Sequence, residues 1–98
     1  MAASKPKKVQ FPDYKHVRTW IEWFGHGQMP DQRAVHEFMD IEQREVIASL
    51  RVELFALSQG RFDVKIMDQV LRPKRKMKHG SYEQWAKYML IWMAEHKG

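Results

Sequence analysis

The feature that most constrains the fold is the apolar segment at residues 81–96. Placed at 100° per residue, its apolar side chains cover an arc of about 200°, wider than the stripe of a helix that packs on one side. Glu83, Gln84 and Lys87 form the polar face that remains. Ser81, with Gln84 three residues later, matches a capping box and predicts where the helix begins. We therefore expect this helix to lie at the centre of a core or of an interface.

The segment 40–58 carries two apolar stripes at helical spacing. One stripe consists of Val46, Ile47, Leu50, Leu54 and Leu57, and the other of Ile41, Ala48, Val52 and Phe55. Since a helix packed on one side needs a single stripe, we expect this one to lie between layers of its own fold or to be shared with another subunit. Asp40 and Gln43 resemble a capping box, so residues 31–58 form either one kinked helix or two helices.

Residues that start or stop helices divide the rest of the chain into shorter helices: Asp13, Gly25, Gly27, Pro30, Asp31, Gly60, Asp63 and Pro73. Asp residues accept hydrogen bonds from the free amides of a first turn, and a proline disfavours helical geometry in the residue before it. No alternating strand pattern exceeds a few residues. The sequence thus predicts an all-α fold, a compact bundle of four or five helices in a single domain at residues 13–98. Residues 1–12 read as a flexible basic arm.

Composition limits the class of protein. The 98 residues suit one domain, and 44% hydrophobic with 30% charged residues is typical of a globular chain. The sequence has no Cys, which excludes disulfides, Cys-type zinc sites and a Cys nucleophile, and fits a reducing compartment. No uncharged apolar run approaches the roughly 20 residues that span a bilayer, and none follows the first lysines as in a secretory signal. We expect a cytoplasmic protein without membrane contact.

A dense basic run precedes the last helix. It consists of Arg72, Lys74, Arg75, Lys76, Lys78 and His79, followed by Ser81 at the helix start. Lysine and arginine side chains and the free amides of a helix N-terminus attract anions. We therefore predict that a loop at residues 72–79, together with Ser81, engages an acidic protein surface or a polyanion.

Nucleic acid is the alternative partner. The same basic run and the N-terminal lysines Lys5, Lys7 and Lys8 could supply phosphate contacts without reading sequence. A helix-turn-helix is not predicted, because the loop between Leu71 and Ser81 is too long and the last helix too apolar for a major groove.

No catalytic, metal or cofactor motif is present in the sequence, so we do not expect an enzyme. His36, Glu37 and Asp40 share a helical neighbourhood but do not match a metal-binding pattern. Seven Met and twelve aromatic residues suit adaptable contacts with a partner helix. Together with the two-striped helix, they favour a binding or adaptor protein that self-associates as a symmetric homodimer.

Overall fold

The computed structural model describes residues 11–27 and 29–96. Within these residues the chain forms six α-helices and no strand: α1 (Lys15–Trp23), α2 (Asp31–Ile41), α3 (Arg44–Ser58), α4 (Val64–Leu71), α5 (Pro73–His79) and α6 (Tyr82–Glu95). The all-α prediction is confirmed. The predicted number of helices, four or five, is wrong because the basic run is a helix and not a loop. Most of the predicted arm, residues 1–10, lies outside the described residues.

Helix α6 is the centre of the bundle, as its wide apolar arc predicts. It packs against α3, α2 and α5. Five of its side chains are buried: Tyr82, Trp85, Ala86, Met89 and Met93. In the part of the chain that the structure describes, no helix combines the length and the apolar character needed to cross a membrane.

The alternatives for residues 31–58 are settled in favour of two helices. The chain leaves helical geometry at Glu42 and Gln43, and Gln43 precedes α3 with extended backbone and no side-chain cap. The capping box at Asp40 does not form. Instead, Asp40 Oδ1 lies 2.8 Å from Nε2 of His96, so this carboxylate joins α2 to the end of α6.

The two stripes of α3 have different environments. Leu50, Leu54 and Leu57 are fully buried against the rest of the bundle. In the second stripe, Val52 is 69% exposed and Phe55 is 60% exposed. The fold of a single chain therefore covers one side of α3 and leaves an apolar row open on the other.

In the described part of the chain, α4 and α6 begin with a carboxylate or hydroxyl cap at the N-cap residue. Asp63 Oδ1 accepts from the amides of Lys65 and Ile66 at 2.9 and 3.3 Å, and Ser81 Oγ accepts from the amide of Gln84 at 3.1 Å. Both caps were predicted from the sequence.

Two carboxylates accept from the first turn of α1, whose N-cap residue is Tyr14 and not the predicted Asp13. Asp13 lies one residue earlier, and its Oδ1 accepts from the amide of Lys15 at 3.0 Å. Glu53 reaches across from α3 and accepts from the amides of His16 at 3.0 Å and Val17 at 2.8 Å. This carboxylate replaces the partners that the first turn of a helix lacks.

Candidate functional site

The basic run forms the helix α5 because Pro73 both ends the preceding helix and suits the first position of the next one. Pro73 ends α4 by disfavouring helical geometry at Arg72, as predicted. Proline also suits the first position of a helix, since its φ is already helical and its missing N–H would have no partner there. Helix α5 accordingly begins at Pro73 and continues to His79. The predicted binding residues of this run are therefore placed on a short helix joined to α4 through one residue, Arg72.

Arg75 joins α5 to four other parts of the chain. Its Nε and Nη2 donate to the two carboxylate oxygens of Asp31, at 2.8 Å each. Nη1 donates to the carbonyl oxygen of Leu71 at 3.0 Å and Nη2 to that of Gly25 at 2.7 Å. The guanidinium lies 5.8 Å from the ring centroid of Trp85, whose Nε1 donates to Asp31 at 2.8 Å. Arg75 therefore holds α5 in place, and its N–H donors are used by partners within the chain.

An open groove of about 600 Å³ lies between α5 and the connection from α1 to α2. Its apolar lining comes from Ile21 and Met29, and Gly25 and Gly27 line the connection. Gly25 is required there, because a Cβ at this position would lie 2.3 Å from the Trp20 ring. The buried Arg75–Asp31 pair forms part of the wall, so the groove is shaped by the fold before any ligand binds.

Positive charge dominates the edge of this groove. The side chains of Arg72, Lys74 and Lys78 all line it and are exposed. Among the described residues, none of these three forms an ion pair. The negative charges in the lining are Glu22 and Asp31, and Asp31 is neutralised by Arg75. The surface therefore presents three exposed cations and one exposed carboxylate, Glu22, to a ligand.

His79 also lines the groove, but it packs against aromatic rings. Its ring centroid lies 5.3 Å from that of Tyr88 and 6.3 Å from that of Trp92. Burial of the imidazole, and then the positive charge of Lys78, lowers the pKa of His79 below its ordinary value. The neutral imidazole is thus favoured.

The last two predicted binding residues lie outside the groove lining. Lys76 Nζ is 3.5 Å from Asp68 Oδ1 and 5.5 Å from the ring centroid of Tyr82, where it links α5 to α4 and α6. Ser81 caps α6 through the amide of Gln84. Both side chains have contacts within the chain that account for their positions.

No local sequence pattern predicts the other side of the groove. Glu22, Ile21, His26 and Met29 come from α1 and the following connection, about fifty residues before α5. Glycines flanking His26 indicated a turn, but nothing in the local pattern showed that the turn faces the basic run. The contact depends on the pair of Asp31 and Arg75, which are 44 residues apart.

The second cluster of polar groups, at the ends of α2 and α6, contains His36, Asp40 and His96. His36 Nε2 lies 2.8 Å from the carbonyl oxygen of Trp92, and the rings of His36 and His96 are 5.3 Å apart. Within residues 11–27 and 29–96, no group of three or more His, Asp or Glu side chains has an arrangement that could hold a metal ion. These contacts connect helix ends.

Comparison of the chain with protein families, curated proteins and solved structures finds no match. Function is therefore inferred from the groove beside α5 and from the residues that line it.

Proposed function

We propose that this protein is a non-enzymatic binding module that holds an acidic segment of a partner protein in the groove beside α5. The observation that carries this proposal is the set of three exposed cations, Arg72, Lys74 and Lys78, around one preformed groove. Charges of one sign in a concave surface concentrate their field and attract a ligand of the opposite sign. Acidic side chains of a peptide have the charge that this surface lacks.

The lining of the groove favours a peptide over nucleic acid. Ile21 and Met29 offer apolar contacts to a side chain of the ligand, which a phosphate backbone does not provide. Two of the six basic-run side chains, Arg75 and Lys76, already pair with carboxylates of the chain. A nucleic acid backbone is usually bound through many phosphate contacts, whereas a short acidic segment needs only a few cations.

A fluorescence anisotropy titration tests the proposal. The probe is a labelled peptide of glutamates around a central leucine, and a labelled single-stranded oligonucleotide is the second probe. We expect the peptide to bind and the Lys74→Ala/Lys78→Ala variant to bind it about ten-fold more weakly. Lys65→Ala/Lys87→Ala removes two exposed lysines that do not line the groove and is the matched control. If the oligonucleotide binds more tightly than the peptide and Lys74→Ala/Lys78→Ala loses this binding, the ligand is a nucleic acid and not an acidic peptide.

We also propose that a second copy of the chain covers the open face of α3. Ala48, Val52 and Phe55 are all exposed and follow each other at helical spacing on this helix. Exposed rows of this kind commonly mark contact surfaces.

Glu45 lies seven residues before Val52 and continues this row, while Arg44 and Arg51 lie on one flank, and all three side chains are exposed. A second copy related by a two-fold axis presents the same apolar row, so the two rows can cover each other. Self-association therefore uses α3 and leaves the groove beside α5 open.

A further inference from the structure

Arg72 has a backbone conformation that arginine rarely adopts. Its φ is 72° and its ψ is 141°, a combination found almost only in glycine. Arg72 is the single residue between α4 and α5, so the corner between the two helices requires this geometry. Leu71 before it is fully buried, and Arg75 after it is held by Asp31, so neither helix can turn to relieve the strain.

Glycine is the residue that this corner favours. Among residues 11–27 and 29–96, glycine occupies three other positions with positive φ: Gly27, Gly60 and Gly80. Glycine adopts such a backbone without the steric cost that a Cβ brings. The use of arginine at position 72 therefore costs stability that glycine would not.

Tyr14 is the other described non-glycine residue with positive φ, and its side chain explains it. The ring is 3% exposed, and its hydroxyl donates to the carbonyl oxygen of Arg61 at 2.8 Å. Arg72 differs. Its side chain is exposed at the edge of the groove, and among the described residues its hydrogen bonds are those of its backbone, with Asp68 and Arg75.

We infer that Arg72 is the residue that selects carboxylates in the groove, and that the fold accepts backbone strain in order to place its guanidinium there. The inference rests on the proposed function of the groove and names the residue that determines its specificity. A guanidinium can donate two parallel hydrogen bonds to one carboxylate, which the ammonium groups of Lys74 and Lys78 cannot do. Arg72 thus recognises the planar acidic group, while the two lysines contribute charge.

Two substitutions separate the effect of the Arg72 side chain on affinity from the effect of the backbone strain on stability. Arg72→Gly removes both, so we expect Tm to rise by about 4 °C while affinity for the glutamate-rich peptide falls by at least about five-fold. Arg72→Ala removes the side chain but keeps a Cβ in the strained conformation, so affinity falls equally while Tm stays near that of the unmodified protein. Arg51→Gly is the control, because it places glycine in the middle of α3 and lowers Tm.

The results distinguish this inference from the proposal beneath it. If Arg72→Gly lowers Tm as Arg51→Gly does, the strain does not exist and the inference fails. If both Arg72 variants bind the peptide normally while Lys74→Ala/Lys78→Ala binds weakly, the groove is correct and the role of Arg72 is wrong. If the unmodified protein does not bind the peptide at all, the proposed function fails, and the selective role of Arg72 fails with it.

Discussion

Arg75 and Asp31 form a two-point ion pair in which Nε and Nη2 each lie 2.8 Å from a carboxylate oxygen. Both side chains are 15% exposed. The pair joins the basic helix α5 to the first residue of α2, and Trp85 of the central helix donates to the same carboxylate. This ion pair neutralises one cation of the basic run and holds α5 so that the remaining cations face the groove. The groove is positively charged for this reason.

Loss of this carboxylate should destabilise the fold. Asp31→Asn leaves the guanidinium of Arg75 largely buried beside a neutral amide, and we expect the free energy of unfolding to fall by about 3 kcal/mol. Urea denaturation followed by tryptophan fluorescence measures the change. Glu37→Gln, which breaks the exposed pair with Arg33, is the control and should cost less than about 0.5 kcal/mol. Equal effects of the two substitutions would show that the Asp31 pair does not hold α5.

Glu53 should contribute to stability through the start of α1. Glu53→Gln weakens the hydrogen bonds to the amides of His16 and Val17, and we expect a loss of about 1 kcal/mol, the usual value of a helix cap. Glu95→Gln changes an exposed carboxylate near the end of α6, away from α1 and from the open face of α3, and should have little effect. Urea denaturation measures the change in the free energy of unfolding. A loss as small as that of the control would show that Glu53 does not stabilise the start of α1.

The sequence predicted these features to different extents, for physical reasons. Caps at Asp63 and Ser81 are local, so their spacing was sufficient to find them. The role of Pro73 was half predicted: the proline was read as the end of α4 but not as the start of α5. The contacts of Glu53 could not be predicted, because its partners are two amides and the imidazole of His16, 36 and 37 residues earlier, and no local pattern reports such contacts.

The candidate site shows the same division. The exposed cations Arg72, Lys74 and Lys78 were predicted from composition, because charge density is visible in a short stretch of sequence. The pairing of Arg75 with Asp31 was not, since it depends on how α2 and α5 pack. The shape of the groove could not be predicted either, because its two sides come from distant segments.

Self-association through α3 should depend on Phe55. Phe55→Glu places a charge in the exposed apolar row without disturbing the core, since the side chain is 60% exposed. We expect the unmodified protein to sediment as a dimer at high concentration and the variant to sediment as a folded monomer. Ile91→Glu, at a half-exposed position of α6, is the control and should remain dimeric. A monomer at every concentration for the unmodified protein would rule out the α3 contact.

Alkaline pH should unfold the protein through Tyr14. Burial raises the pKa of Tyr14 to about 12 from an ordinary value of 10.0, with smaller opposing and reinforcing effects of Arg61 and Glu53. Because the folded state favours the protonated phenol, its contribution is complete below pH 10 and is lost as pH rises towards 12. We expect Tm to fall steeply in this range.

The variant Tyr14→Phe separates this residue from other alkaline effects. Tyr82 also contributes, because burial and then its hydrogen bond to Asp68 raise its pKa. In Tyr14→Phe the decrease in Tm between pH 10 and pH 12 should be smaller than in the unmodified protein. An identical decrease would mean that Tyr14 does not titrate differently in the folded and unfolded states.

We propose that the binding surface of this protein is the groove between α5 and the α1–α2 connection. The most direct test is a nuclear magnetic resonance titration of the isotope-labelled protein with the glutamate-rich peptide, followed through backbone amide shifts. We predict that the shifts concentrate at residues 25–31 and 72–79 and that Lys74→Ala/Lys78→Ala reduces them. Shifts concentrated on α3, or no shifts at a large excess of peptide, would contradict binding of the peptide in this groove.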